Sequence, residues 1–209
     1  MAKLYELAAE EFLNRLASDA PAPGGGGGAA MAGALAAALA SMVANLTIGK
    51  EKFAAQEAEC KELLRQAEAL RQEFLQLVEA DARVFDAFMA CYKLPKVTEE
   101  DKARRAAAIA DAAKQAAGVP LAMALAAVKT LALADRLAVI GNPGLVTDAA
   151  CSAILARASL RCAAYNVLIN LKLTKDEAFN GGALAQLADA QKQAEALEKK
   201  TLVVADALL

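Results

Sequence analysis

From Ala20 to Gly49 the chain carries no charged side chain, and this run, APAPGGGGGAAMAGALAAALASMVANLTIG, constrains the fold more than any other stretch. It is long enough to cross a membrane as a helix. Its make-up points elsewhere. The first third is proline and glycine, the rest is mainly alanine, and Ser41, Asn45 and Thr47 interrupt it. A helix that is apolar on every side also suits the centre of a bundle. The run therefore predicts a central helix over residues 28–49, entered through a glycine-rich loop, with no membrane association.

The remainder reads as helices of amphipathic period. Leu4, Leu7, Phe12, Leu13 and Leu16 mark one over 4–17. A long one over 51–91 shows an expected buried stripe through Phe53, Cys60, Leu63, Leu64, Ala67, Leu70, Phe74, Leu77, Val78, Phe85 and Phe88, with Gly49 as the hinge before it. Pro95 cannot continue that helix. Thr98 followed by Glu99, Glu100 and Asp101 has the form of a capped start. It predicts a helix over 99–138 that Gly118 and Pro120 kink or split. Further helices are expected over 144–172, capped by Asn142 or Thr147, and over 183–208. No segment alternates with strand period. The expected fold is all-α, a bundle of about six helices forming a single domain over residues 1–209. Aromatic residues are 4% of the chain and Trp is absent, so the helices must meet through small side chains.

Net charge is −2 and the charges are evenly spread, without the basic footprint of a nucleic-acid binder. There is no histidine, which removes the commonest general base and the commonest metal ligand; no metal site is expected. Cys60, Cys91, Cys151 and Cys162 form no CxxC pair and read as reduced, buried thiols of a cytoplasmic protein. The first residues lack the apolar core of a signal peptide.

Three features bear on chemistry. Gly24, Gly25, Gly26, Gly27 and Gly28 lead into a helix start. They do not form a P-loop, because Lys50 lies far downstream and precedes Glu51. They are either a loose connector or a cradle whose free N–H groups receive an anionic or carbonyl-bearing ligand. Asp81 is the second feature. Phe74, Leu77, Asp81, Phe85 and Phe88 recur at helical spacing, so a carboxylate sits within an apolar stripe. Unpaired there, it is pushed toward its neutral form and suits general acid/base work near neutral pH. The alternative is a salt bridge to an Arg of a neighbouring helix. The third feature is a polar seam of Asp148, Ser152, Ser159, Cys162, Asn166 and Asn170. It either hydrogen-bonds neighbouring helices or lines a cavity with Asp148 at its mouth. Ser41 and Asn45 make a similar pair.

Several stretches together resemble one family, the cyclodeaminase domain of formiminotransferase-cyclodeaminase and its stand-alone methenyltetrahydrofolate cyclohydrolase relatives. They are FLNRLASDAPAPGGGGGAAMAGALAAALASMVANLTIGKEKF, EADARVFDAFMACYKLPK, EEDKARRAAAI, AAGVPLAMA, GNPGLVTDAA and NVLINL, and they span nearly the whole chain. The chain departs from the family pattern at Gly27, where serine is usual, and at Thr147, where serine is commoner. The resemblance implies a dimeric, all-helical enzyme acting on a tetrahydrofolate derivative as substrate, without a separate cofactor, with Asp81 carrying the catalysis. On that basis Lys50 or the glycine-led helix start would receive the anionic glutamate tail. Asn45, Asn142 and Asp148 would bond the pterin edge, and Phe85 and Phe88 are candidate walls. The alternative is a non-catalytic helical folate-binding or scaffold protein.

Overall fold

The computed structural model describes residues 3–209 as six α-helices. They are α1 (Ala9–Leu16), α2 (Gly25–Asn45), α3 (Glu57–Cys91), α4 (Glu99–Ile140), α5 (Val146–Thr174) and α6 (Glu177–Asp206). Short 3-10 turns cover Leu4–Glu6, Glu51–Gln56 and Pro143–Leu145, and no strand occurs among the described residues. α2 lies against α3 and α5, with α4 on its remaining inner side; α6 closes the other side of α4 and α5. The core is built largely of alanine, punctuated by Phe74, Met123, Leu131, Leu137 and Leu160. Two helices, α2 and α4, are long and apolar enough to cross a membrane, and the apolar stretch of each is more than half buried by its neighbours. Packing within the bundle accounts for their apolar character.

The glycine run is not a loop. Gly24 is the N-cap of α2 and Gly25–Gly28 form its first turn. The physical reason is close approach. A Cβ on Gly26 would overlap the Asp81 carboxylate of α3, and a Cβ on Gly33 would overlap the Phe74 ring. Glycine lets α2 press its backbone onto α3 where any side chain would hold the two apart. Alanine does the same against α5. The buried hydroxyls of Ser159 and Ser152 donate to the Ala29 and Ala36 carbonyls at 2.7 Å each, which fixes α2 and α5 side by side and antiparallel.

Other boundaries differ for local reasons. Residues 4–17 divide into a 3-10 turn and α1. Gly49 takes a positive φ of 74° and a 3-10 turn follows it, so α3 begins only at Glu57. α4 runs unbroken through Gly118 and Pro120. Asn142 caps the turn before α5, its Oδ1 accepting from Gly144 N at 3.1 Å. α6 starts earlier than expected because Asp176 caps it, accepting from Phe179 N at 2.9 Å, and the helix continues through Gly181 and Gly182. Of the four cysteines only Cys60 is buried; Cys151 and Cys162 are exposed on α5. These are solvent-facing positions of α5, which the alanine-rich pattern did not reveal.

Candidate active site

Phe74 is fully buried under Gly33, which pins α3 against α2. Asp81 lies two helical turns further along the same face. That spacing brings its carboxyl to the start of α2, where the Gly27 backbone N–H faces it. Burial raises the Asp81 pKa above the ordinary carboxylate value, and the Gly27 N–H works against that rise. Desolvation disfavours the charged form, whereas a donor and the positive end of a helix favour it. Among the described residues no ion pair involves Asp81. The salt-bridge alternative is not realised.

Asp81 opens onto a cavity of about 310 Å³, within the range of small-molecule sites. Pro21, Ala22, Gly24, Gly25 and Gly26 form one wall. Val84, Phe85 and Phe88 continue the α3 wall beyond Asp81. Ala116 of α4 and Asn166, Ile169, Asn170 and Leu173 of α5 complete it. Among the described residues no Lys or Arg lines this space. Phe85 is 37% exposed, so it serves the cavity rather than the core. Across Leu173 lies a second depression, whose lining includes Lys96, Lys102, Arg105, Lys172 and Lys175 and no acidic residue.

The polar seam of α5 divides between its two readings. Ser152 and Ser159 tie α5 to α2. Asn166 and Asn170 line the cavity, with their Nδ2 groups on backbone carbonyls. Asp148 is in the first turn of α5, about 27 Å along the axis from Asn166; it is not at the mouth of this cavity.

Three other expected contacts are also remote from Asp81. Asn45 ends α2, roughly 29 Å along the axis from Gly26. It lines a shallow groove with Ser41, Met42, Glu68 and Arg71. Lys50 follows in the exposed turn after α2. Asn142 sits beside this turn, its N–H donating to Thr47 Oγ1 at 2.9 Å. Asn45, Lys50, Asn142 and Asp148 therefore belong to the opposite end of α2 from Gly24, Gly25, Gly26 and Asp81. The Gly27 N–H faces the carboxyl and lowers its pKa, and neither Gly27 nor Gly28 lines the cavity.

Comparisons with known proteins agree with one another. The family model described as formiminotransferase-cyclodeaminase matches residues 8–189. The methenyltetrahydrofolate cyclohydrolase of Methylorubrum extorquens is 45% identical over 191 residues, covering 91% of this chain and 92% of that protein. The formimidoyltransferase-cyclodeaminase of Sus scrofa is 37% identical over 88% of this chain, which spans only 34% of that longer protein. The crystal structure of formiminotetrahydrofolate cyclodeaminase from Thermotoga maritima superposes with a TM-score of 0.88 at 30% identity, covering 98% of both chains.

Proposed function

The chain belongs to the formiminotransferase-cyclodeaminase family, and from that premise we propose that it remakes the one-carbon bridge between N5 and N10 of tetrahydrofolate. The observation that carries the proposal is Asp81, a carboxyl with a raised pKa and no ion-pair partner, facing a cavity with aromatic walls. Near-complete coverage of the Methylorubrum cyclohydrolase supports hydrolysis of 5,10-methenyl-tetrahydrofolate to the 10-formyl form. Water adds to the methenyl carbon, and Asp81 takes its proton. The C–N5 bond then breaks as the carbonyl forms, and N5 receives a proton from Asp81; one proton is released overall. A second reading, supported by the Thermotoga structure, is cyclisation of 5-formimino-tetrahydrofolate. There N10 attacks the amidine carbon, Asp81 takes the N10 proton, and the amino nitrogen leaves as ammonia after protonation. One acid serves both routes because each needs a proton removed from the attacking group and one delivered to the leaving nitrogen. Neither sequence requires a metal or redox cofactor.

The methenyl bridge and the protonated formimino group are cationic. A cavity offering a carboxyl, amide oxygens and phenyl faces without Lys or Arg suits such a group. The anionic tail then extends across Leu173 to the basic depression of Lys96, Lys102, Arg105, Lys172 and Lys175, rather than to Lys50 or the glycines. Asn45, Lys50, Asn142 and Asp148 reach the same substrate only if a second copy of the chain supplies them. A homodimer through the outer faces of α2 and α5 would cover Leu35, Met42 and the C-cap Leu46 on one side and Ile154 and Tyr165 on the other, all exposed in the single chain.

The test is spectrophotometric, following loss of methenyl absorbance on hydrolysis or its appearance from formimino substrate. Asp81→Asn should keep the helical circular dichroism and lose roughly 10²–10⁴-fold in turnover. Undiminished turnover in that variant removes Asp81 from the mechanism.

A further inference from the structure

α4 contains a proline near its middle, Pro120, fully buried and without a break in the helix. Proline has no N–H, so the carbonyl four residues earlier loses its helical partner. That carbonyl belongs to Ala116, and a buried carbonyl needs a donor. Asn170 of α5 supplies it, with Nδ2 at 2.8 Å from Ala116 O. The same Nδ2 lies 2.9 Å from Asn166 O. An amide has two hydrogens on nitrogen and acceptor capacity only on oxygen. Both hydrogens of Asn170 are thus committed to carbonyls, and the amide cannot flip without facing oxygen to oxygen. Its Oδ1 accepts no hydrogen bond from the described residues and is not among the buried, unpartnered atoms. Both Ala116 and Asn170 line the cavity that holds Asp81.

We propose that Pro120 and Asn170 act as a positioning pair: the N–H missing at Pro120 gives the Ala116 carbonyl to the Asn170 amide, and the Asn170 Oδ1 so fixed accepts an N–H of the bound substrate. The proposal rests on the folate reading above and adds to it a specificity contact opposite the acid. The donor is either a ring N–H of the reduced pterin or the amino group of a formimino unit, which present the same chemistry to the oxygen. A methenyl bridge carries no N–H of its own, so the two substrates separate these sources.

The experiment is a double-mutant cycle on the full chain with Asn170→Ala, Pro120→Ala and the pair combined. KM and kcat are measured on whichever of the methenyl and formimino substrates the wild type turns over, and Tm on all four proteins. Asn170→Ala should raise KM on the order of 3–10-fold, the loss of one ordinary hydrogen bond, with a smaller change in kcat. A rise with the methenyl substrate assigns the donor to the ring; a rise confined to the formimino substrate assigns it to the one-carbon unit. Pro120→Ala restores an N–H for Ala116 O and releases the amide, so it should raise KM in the same way. The double variant should bind no worse than Asn170→Ala alone. It should also melt higher than Asn170→Ala, because the backbone N–H regained by replacing Pro120 then serves the carbonyl that Asn170→Ala leaves unpaired. The double variant also gives the KM measurement should Asn170→Ala alone fail to fold. An unchanged KM in Asn170→Ala, an unchanged KM in Pro120→Ala, or additive effects in the double variant would overturn the pair. Failure of the wild type on both substrates would instead count against the folate reading, and the Tm cycle would still test the pairing of Pro120 with Asn170.

Discussion

Asp81 is held between two opposing influences, and their balance has a consequence for stability. A carboxyl whose folded pKa is raised binds more protons in the native than in the unfolded state between the two pKa values. Stability contributed by that group therefore falls as pH rises through this window. For Asp81 the window opens at the ordinary carboxylate value and closes at the raised folded one. Asp81→Asn removes the effect while keeping an oxygen for the Gly27 N–H. Wild type and variant should have matching Tm in acid, below the window, and the variant should be the more stable at neutral pH. Thermal melts across that range check it; a variant less stable at neutral pH would mean that the ionised carboxylate is a net stabiliser. The apolar setting of Asp81 was legible in the sequence, since Phe74, Leu77, Phe85 and Phe88 share its helix. Its contact with Gly27 was not, because that contact joins two helices whose register no single-helix period reports.

The helices themselves show where local rules are overridden. Five consecutive glycines and a Gly-x-Pro pair are poor helix formers, yet α2 begins inside the first and α4 runs through the second. Close packing decides the first case and a borrowed side-chain donor decides the second. The sequence pattern located every long helix, and it erred where a glycine lies inside one: at Gly26 for contact with α3, and at Gly118, Gly181 and Gly182 in open positions that the helix simply tolerates. Two substitutions separate those roles. Gly33→Ala would drive a methyl into the Phe74 ring and should destabilise by about 1–3 kcal/mol, as overpacking does. At Gly118 an added Cβ meets nothing within 4 Å, so Gly118→Ala should stabilise α4 by about 0.5–1 kcal/mol. Chemical denaturation of both variants tests the contrast, and equal effects would contradict it.

The molecule as a whole has two separated ends of interest, joined by α2. One end carries Asp81 and its cavity; the other carries Asn45, Lys50, Asn142 and Asp148. Sequence alone placed all of them at one substrate because motifs on different helices have no distance between them until the helices are packed. Between the two ends, α2 and α5 turn apolar side chains outward at the same level, with Leu35 54% and Ile154 47% exposed. Isolated exposed residues are ordinary, whereas a larger exposed apolar patch is what the homodimer proposed above would cover. If the proposed dimer forms through this face, Leu35→Glu combined with Ile154→Glu should convert it to monomers in analytical ultracentrifugation while leaving helix content intact. A wild type that sediments as a monomer at all concentrations would exclude the dimer.

The placement of the Gly27 amide against the Asp81 carboxyl provides a built-in spectroscopic probe. Loss of the acid's proton changes the field at one backbone hydrogen, and glycine nitrogens resonate apart from most others. Following that single cross-peak in isotope-labelled protein as buffer acidity is varied would give the acid's midpoint directly, with no substrate or turnover needed.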